Sequence, residues 1–369
     1  MTSKVTSFDI ATTPSPYKYP NFTELASAIG LVTETHEVTS EDGYVLTLFN
    51  IPGNKSRPIL IMHGIMDNAD TFILRGNGSL GYTLAKEGYD VWFGNFRGNR
   101  YNRRHATLDP IEAEFWNFTY HEIGYYDLPA IIDYILNKTE QTQLSAIGFS
   151  LGTTIFYVLG STRPEYNTKI KILICLAPIA YFKHVEPPVS TLIGMAPYIS
   201  FITQDMPELK VDKSNFLATC QSPASVEACR QFLFSFAGAD DEEIELDFFR
   251  TFHDTSASVS RKLAIHMAKS RKVFAQYDFG SQRNLQVYNS AVPPQYNLSA
   301  CVMKMALFVG KNDKLSVIKD VELLRDQLPN VVEYRVVDRD LCNHFDFVWG
   351  RNMHVYLLPY VLDTLEKYS

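Results

Sequence analysis

Apolar residues fall into short runs separated by polar and glycine-containing turns, and the spacing of those runs predicts alternating strands and helices. Tyr44 to Ile51 alternates enough for a strand. After the turn Pro52-Gly53-Asn54, the run Ile59-Leu60-Ile61-Met62 ends at His63-Gly64. Leu80 to Glu87 has helical character, and Tyr89 to Phe93 forms the next buried strand. Strand, helix, strand in that order implies a parallel sheet. Asp127 stands where an N-cap belongs, with Pro129 in the first turn of an apolar-faced helix over Ala130 to Leu136. Further strands are expected at Leu144 to Ile147, Ile170 to Leu176, Lys304 to Val309 and Val331 to Val337, and a buried helix over Thr153 to Gly160. Residues 184–299 break the sheet pattern. They mix Leu192, Ile193, Met195 and Phe201 with prolines and the acidic run Asp240 to Glu243, and they read as a cap inserted between a core of 1–183 and 300–369.

Composition narrows the classes of function. With 369 residues, 46% hydrophobic and 20% charged, the chain has ample material for a packed core. Lys plus Arg number 34 against 41 Asp plus Glu, so no basic excess attracts phosphate backbones, and nucleic acid is not an expected partner. No apolar run reaches the roughly 18 residues of a membrane span; Val189 to Gln204 is interrupted by Pro197. The start, Met1-Thr2-Ser3-Lys4, shows no apolar signal-peptide region in the chain as given. Six Asn-x-Ser/Thr sequons nevertheless begin at Asn21, Asn54, Asn77, Asn117, Asn137 and Asn297, and a mature secreted or lysosomal chain reconciles the two observations; unused chance sequons are the alternative.

Five cysteines leave at least one thiol unpaired. Cys220 and Cys229, nine apart in a polar stretch, suit a local disulfide in an oxidising compartment, whereas Cys175 lies in an apolar run and reads as a small buried hydrophobe. No Cys or His spacing suggests structural zinc, and no internal repeat is present.

The chemistry is carried by the strand that runs into Gly148-Phe149-Ser150-Leu151-Gly152 ahead of a helix. This is the pattern of a nucleophile elbow, whose glycines spare a strained turn from side-chain clashes. A serine hydroxyl is a poor nucleophile until a positioned base accepts its proton, so the elbow predicts a histidine and an acid further along. Asp313 follows the strand Lys304 to Val309, and His344 follows Val331 to Val337. The order Ser150, Asp313, His344 is that of an α/β-hydrolase. Asp313 could instead cap the helix starting near Val317, with Asp338 or Asp346 orienting the histidine, while His354 falls in a final helix-like segment. Negative charge developing on a carbonyl oxygen needs backbone N–H donors, for which Leu151 and Ile65 of His63-Gly64-Ile65 are the candidates. The fold class expected is α/β: an α/β-hydrolase core with a mostly parallel sheet flanked by helices, carrying an inserted, mainly helical cap.

Several stretches make a more specific resemblance. Ser40-Glu41-Asp42-Gly43-Tyr44, His63-Gly64-Ile65, Gly94-Asn95-Phe96-Arg97-Gly98-Asn99, Gly124-Tyr125-Tyr126-Asp127-Leu128-Pro129-Ala130, the elbow and Asn343-His344-Phe345-Asp346-Phe347 resemble the acid lipase family, the gastric and lysosomal lipases and their insect relatives. Tyr277-Asp278-Phe279-Gly280, Pro293-Pro294-Gln295-Tyr296-Asn297-Leu298 and the pair Cys220/Cys229 are similar to stretches of that family's cap. The resemblance implies hydrolysis of triacylglycerols or cholesteryl esters at a lipid–water interface, with no metal or organic cofactor. Phe149, Leu151 and Phe96 depart from the family's usual histidine, glutamine and serine, which bears on substrate preference. Two other readings are an esterase or thioesterase for soluble acyl substrates and a silent lipid carrier on a lipase fold. The lipid preferred and the oligomeric state are not legible.

Overall fold

The computed structural model describes residues 20–211, 223–251 and 257–368. Among the described residues eleven strands run in chain order: β1 (Glu34–Thr39), β2 (Tyr44–Ile51), β3 (Asn54–Met62), β4 (Tyr89–Phe93), β5 (Arg104–His105), β6 (Leu144–Phe149), β7 (Ile170–Leu176), β8 (Glu208–Val211), β9 (Ala257–Ser260), β10 (Met305–Val309) and β11 (Val331–Val336). The main sheet is ordered β1-β2-β4-β3-β6-β7-β10-β11, with β5 paired to β2. From β4 to β11 neighbouring strands are parallel, and β1 and β2 extend the sheet antiparallel. The α/β class expected from the sequence is the one observed.

Both faces of the sheet are covered, which is why its central strands are continuous apolar runs. Successive residues alternate between two cores: Leu60 and Met62 of β3 join one, Ile59 and Ile61 the other. The first core packs against the helices Leu128–Thr139 and Leu151–Thr162, the second against Leu80–Lys86 and Leu358–Tyr368. β1 escaped the sequence reading because it is a half-exposed edge of polar and charged residues, held by its register with β2.

Asp127 is not the N-cap that its position suggested. The helical stretch begins earlier, at Tyr120, behind a capping box in which the Thr119 hydroxyl and the Glu122 carboxylate each accept a backbone N–H, and it passes through a π-turn at Ile123–Asp127. Asp127 has helical backbone angles and caps nothing, because its buried carboxylate is taken by Arg97 Nε at 3.0 and 3.1 Å. The same guanidinium grips Asp42 at 2.6 and 2.8 Å and lies 3.9 Å above the Tyr44 ring. The loop after β4 is thereby locked to the turn before β2 and to the helical stretch that begins at Tyr120.

Between β7 and β10, the described residues of 184–299 form the helices Val189–Gly194, Ala196–Ile202, Pro223–Ala237, Leu246–Thr251, Arg261–Lys269 and Ser281–Tyr288 together with the two-stranded ribbon β8-β9. Ser260 Oγ donates to the carbonyls of Trp116 and Phe118, and Arg103 pairs with Glu208, so polar contacts join this segment to the sheet domain.

Removing the Asp127 carboxylate leaves a buried guanidinium with half its partners. Asp127→Ala is expected to lower stability by about 3–5 kcal/mol, read as a fall in the urea midpoint; an unchanged midpoint would show that Asp42 alone suffices.

Candidate active site

Parallel strands end on one edge of the sheet, and loops leaving that edge converge. Ile65 follows β3, Ser150 follows β6, Asp313 follows β10 and His344 follows β11. Four positions far apart in the chain are thus neighbours by topology alone.

Ser150 is the single residue between β6 and the helix Leu151–Thr162, with φ 53° and ψ −120°. For a residue with a side chain that region costs about 1–3 kcal/mol. Its N–H donates to the Leu176 carbonyl at 3.0 Å, and its own carbonyl accepts Thr153 N–H and Oγ, which hold the turn in place. The glycines allow the approach. A Cβ on Gly152 would lie 2.3 Å from the Met62 carbonyl oxygen, and one on Gly148 would lie 2.6 Å from the Gly152 oxygen. Gly64 backs against Ser150, since a Cβ there would meet the Ser150 Cβ at 3.3 Å.

Three side chains meet at this turn. His344 Nε2 lies 2.9 Å from Ser150 Oγ, and His344 Nδ1 lies 2.8 Å from Asp313 Oδ2; all three residues are buried. A carboxylate only accepts, so Nδ1 carries the proton and Nε2 is left to accept from the serine hydroxyl. Asp313 also caps its own turn: Oδ1 accepts Leu315 N–H at 2.8 Å and Ser316 N–H at 2.7 Å. The helix Ile318–Arg325 starts behind Val317 with no side-chain cap, so Asp313 does not cap it; one oxygen closes the preceding turn and the other faces His344. Asp338 points into solvent beside Lys311, Asp346 accepts the Asn343 N–H, and His354 is exposed.

Ile65 and Leu151 line one cleft together with His63, Phe96, Phe118, Ile123 and, from residues 184–299, Val259 and Leu263. Leu151 opens its helix, where N–H groups lack intrahelical partners and the dipole is positive. His63 fixes the opposite wall. Burial pushes its imidazole down to about 3, so it is neutral; Nδ1 donates to the Gly64 carbonyl at 2.8 Å and Nε2 accepts Phe96 N–H at 3.1 Å. The arrangement can accept a serine proton and offer N–H groups to an adjoining oxygen, with an apolar cleft beside it.

Of the remaining positions, Cys229 is disulfide-bonded, Cys175, Cys301 and Cys342 carry buried free thiols, and Cys220 lies outside the described residues. Asn54, Asn77, Asn117, Asn137 and Asn297 are exposed; Asn21 is partly buried as the N-cap of the helix Phe22–Ala28. Val259 and Leu263 were missed in the sequence reading because nothing in a local pattern says which cap residues face the elbow.

The class is defined by profile as well as by topology: the profile described as alpha/beta hydrolase fold matches residues 57–351, and that of a partial alpha/beta-hydrolase lipase region matches 22–76. Solved structures of an esterase from Exiguobacterium antarcticum (TM-score 0.54, 13% identity, 90% of this chain and 100% of that one) and of a monoacylglycerol lipase from Paleococcus ferrophilus (0.53, 15%, 88% and 99%) share the fold. At higher similarity stand Lipase 1 of Drosophila melanogaster (37% identity, 93% of this chain and 79% of that one), gastric triacylglycerol lipase of Mus musculus (33%, 91% and 89%) and lysosomal acid lipase/cholesteryl ester hydrolase of Homo sapiens (32%, 97% and 94%). The chain belongs to the acid lipase family of α/β-hydrolases.

Because a methyl group at position 152 collides with the β3 backbone, Gly152→Ala is expected to cost about 2 kcal/mol or more and to depress the melting temperature. A melting temperature within error of wild type would mean that the elbow has slack.

Proposed function

We propose that the chain hydrolyses carboxylic ester bonds of neutral lipids, triacylglycerols or cholesteryl esters, through an acyl-enzyme on Ser150. The observation that carries this reading is the continuous relay from Ser150 Oγ through His344 to Asp313, at 2.9 and 2.8 Å. As Ser150 Oγ attacks the ester carbonyl carbon, His344 Nε2 takes its proton and Asp313 steadies the resulting imidazolium. The carbonyl oxygen becomes an oxyanion, for which the N–H groups of Ile65 and Leu151 are the proposed donors, each worth about 3–4 kcal/mol. The tetrahedral adduct collapses as His344 returns the proton to the departing alcohol. Water, deprotonated by the same imidazole, then releases the fatty acid and restores the serine.

Residues 184–299 are read as a cap that meets the lipid. Leu192, Tyr198, Phe201 and Ile202 lie on its first two helices with Met195 between them, and Tyr198, Phe201 and Ile202 are 74%, 71% and 74% exposed. An apolar patch of that kind, unusual on a monomer in water, suits a lipid–water interface. Among the described residues no helix is long and apolar enough to cross a membrane, so contact at the surface is the mode proposed. A secreted or lysosomal setting is supported by relatives named gastric and lysosomal, by the disulfide at Cys229 and by the five exposed sequons.

Ser150→Ala should lower kcat on tributyrin by a factor on the order of 10⁶, assayed with folded protein; near-native turnover would remove Ser150 from the reaction. Phe201→Asp with Ile202→Asp should reduce hydrolysis of emulsified triolein about tenfold or more while sparing a soluble short-chain ester, since each such side chain gains about 1.5–3 kcal/mol on leaving water. Equal losses on both substrates would assign the patch to folding rather than to the interface.

A further inference from the structure

The turn that carries His344 is closed from both sides. Asn343 Oδ1 accepts the N–H groups of Phe345 and Asp346, Asp346 Oδ2 accepts Asn343 N–H at 2.8 Å, and His344 N–H donates to the Ala237 carbonyl at 3.2 Å. Behind the turn lie three buried carboxyl groups, Asp240, Glu243 and Asp346. Arg339 is the guanidinium that reaches them, binding Asp240 through Nε at 3.0 Å and Nη2 at 2.7 Å and standing 3.8 Å from Glu243. Three ionised carboxylates against one guanidinium would leave this pocket negative, which a buried site does not tolerate.

The donors show which group gives way. Glu243 is served by Asn352 N–H at 2.7 Å, Asn352 Nδ2 at 2.8 Å and Tyr356 Oη at 3.1 Å, and Asp240 by Arg339. Asp346 has the Asn343 N–H on one oxygen, its other oxygen is buried without a donor, and the Asp240 carboxyl stands within hydrogen-bonding reach of the group. Two carboxyl groups in that relation share a proton.

We propose that Asp346 is a positioning residue for His344, held as a carboxylic acid whose O–H donates to Asp240 and clasps residues 237–243 to the catalytic turn. The proposal rests on the role assigned to His344 above. Asp346 is held well above the usual carboxylate range, first by burial and then by Asp240 and Glu243. The other groups around the pocket do not supply a cation: Cys342 and Tyr356 are kept neutral by burial, Arg75 is paired with Glu245, and Arg230 with Glu227 and Asp241. As pH rises the shared proton is lost, Asp346 and Asp240 repel, and the clasp opens.

Asparagine reproduces the protonated acid at every pH, accepting from Asn343 N–H and donating to Asp240, whereas alanine can do neither. With ethyl butyrate as substrate and the released acid measured by chromatography, Asp346→Ala should lower kcat about tenfold or more at mildly acidic pH. Asp346→Asn should restore most of that loss and shift the alkaline fall of kcat to higher pH. Melting temperature supplies a readout independent of turnover. A carboxyl whose folded value lies above its unfolded 3.8 loses its stabilising effect as pH climbs from there, so the melting temperature of Asp346→Asn relative to wild type should increase with pH. An asparagine variant as impaired as the alanine one, or a melting difference flat in pH, would show Asp346 to be ionised and overturn the proposal. Residual activity in Ser150→Ala would instead undo the functional reading and leave the melting result standing.

Discussion

The backbone at Ser150 is the constraint around which the rest is built. A left-handed φ with an extended ψ is costly for serine, and it persists because the Leu176 carbonyl, Thr153 and the Met62 carbonyl surround it in a space that only glycine at 148 and 152 leaves open. The strain turns the side chain out of the sheet at the start of a helix. Its hydroxyl thereby meets an imidazole delivered by the loop after β11, and its neighbour Leu151 lines one cleft with Ile65 of the loop after β3.

Buried charge does the corresponding work between segments. Arg97 binds Asp42 and Asp127, joining three stretches of the chain, and Arg339 joins Asp240, within residues 184–299, to the loop after β11. Such pairs add little net stability over apolar substitutes, but they fix where each loop lies, and loop position decides whether His344 reaches Ser150. Placement of this kind is what a proton relay with tolerances of a few tenths of an ångström requires.

Apolar residues are divided between two tasks. Those of the sheet are buried on both faces and specify the core, whereas Leu192, Tyr198, Phe201 and Ile202 on the helices Val189–Gly194 and Ala196–Ile202 form an exposed patch. The proposed occupant of that patch is the lipid surface. Cleft residues Val259 and Leu263 connect the two, because they belong to the segment bearing the patch and line the space beside Leu151.

The sequence by itself determined the sheet's parallel strands, the elbow and the chain order of serine, acid and histidine. Runs such as Ile59 to Met62 and the two glycines around Ser150 report local requirements that hold wherever the segment lies. Only the tertiary structure decided what Asp127, Asp313 and Asp346 do. By sequence the first reads as a helix N-cap and the other two as rival partners of His344; in space the first is taken by Arg97, the second divides its oxygens between a turn and His344, and the third faces another carboxyl. The role of a buried carboxyl depends on which groups surround it, and the deciding ones here, Arg97, His344 and Asp240, come from elements tens of residues or more away in the chain.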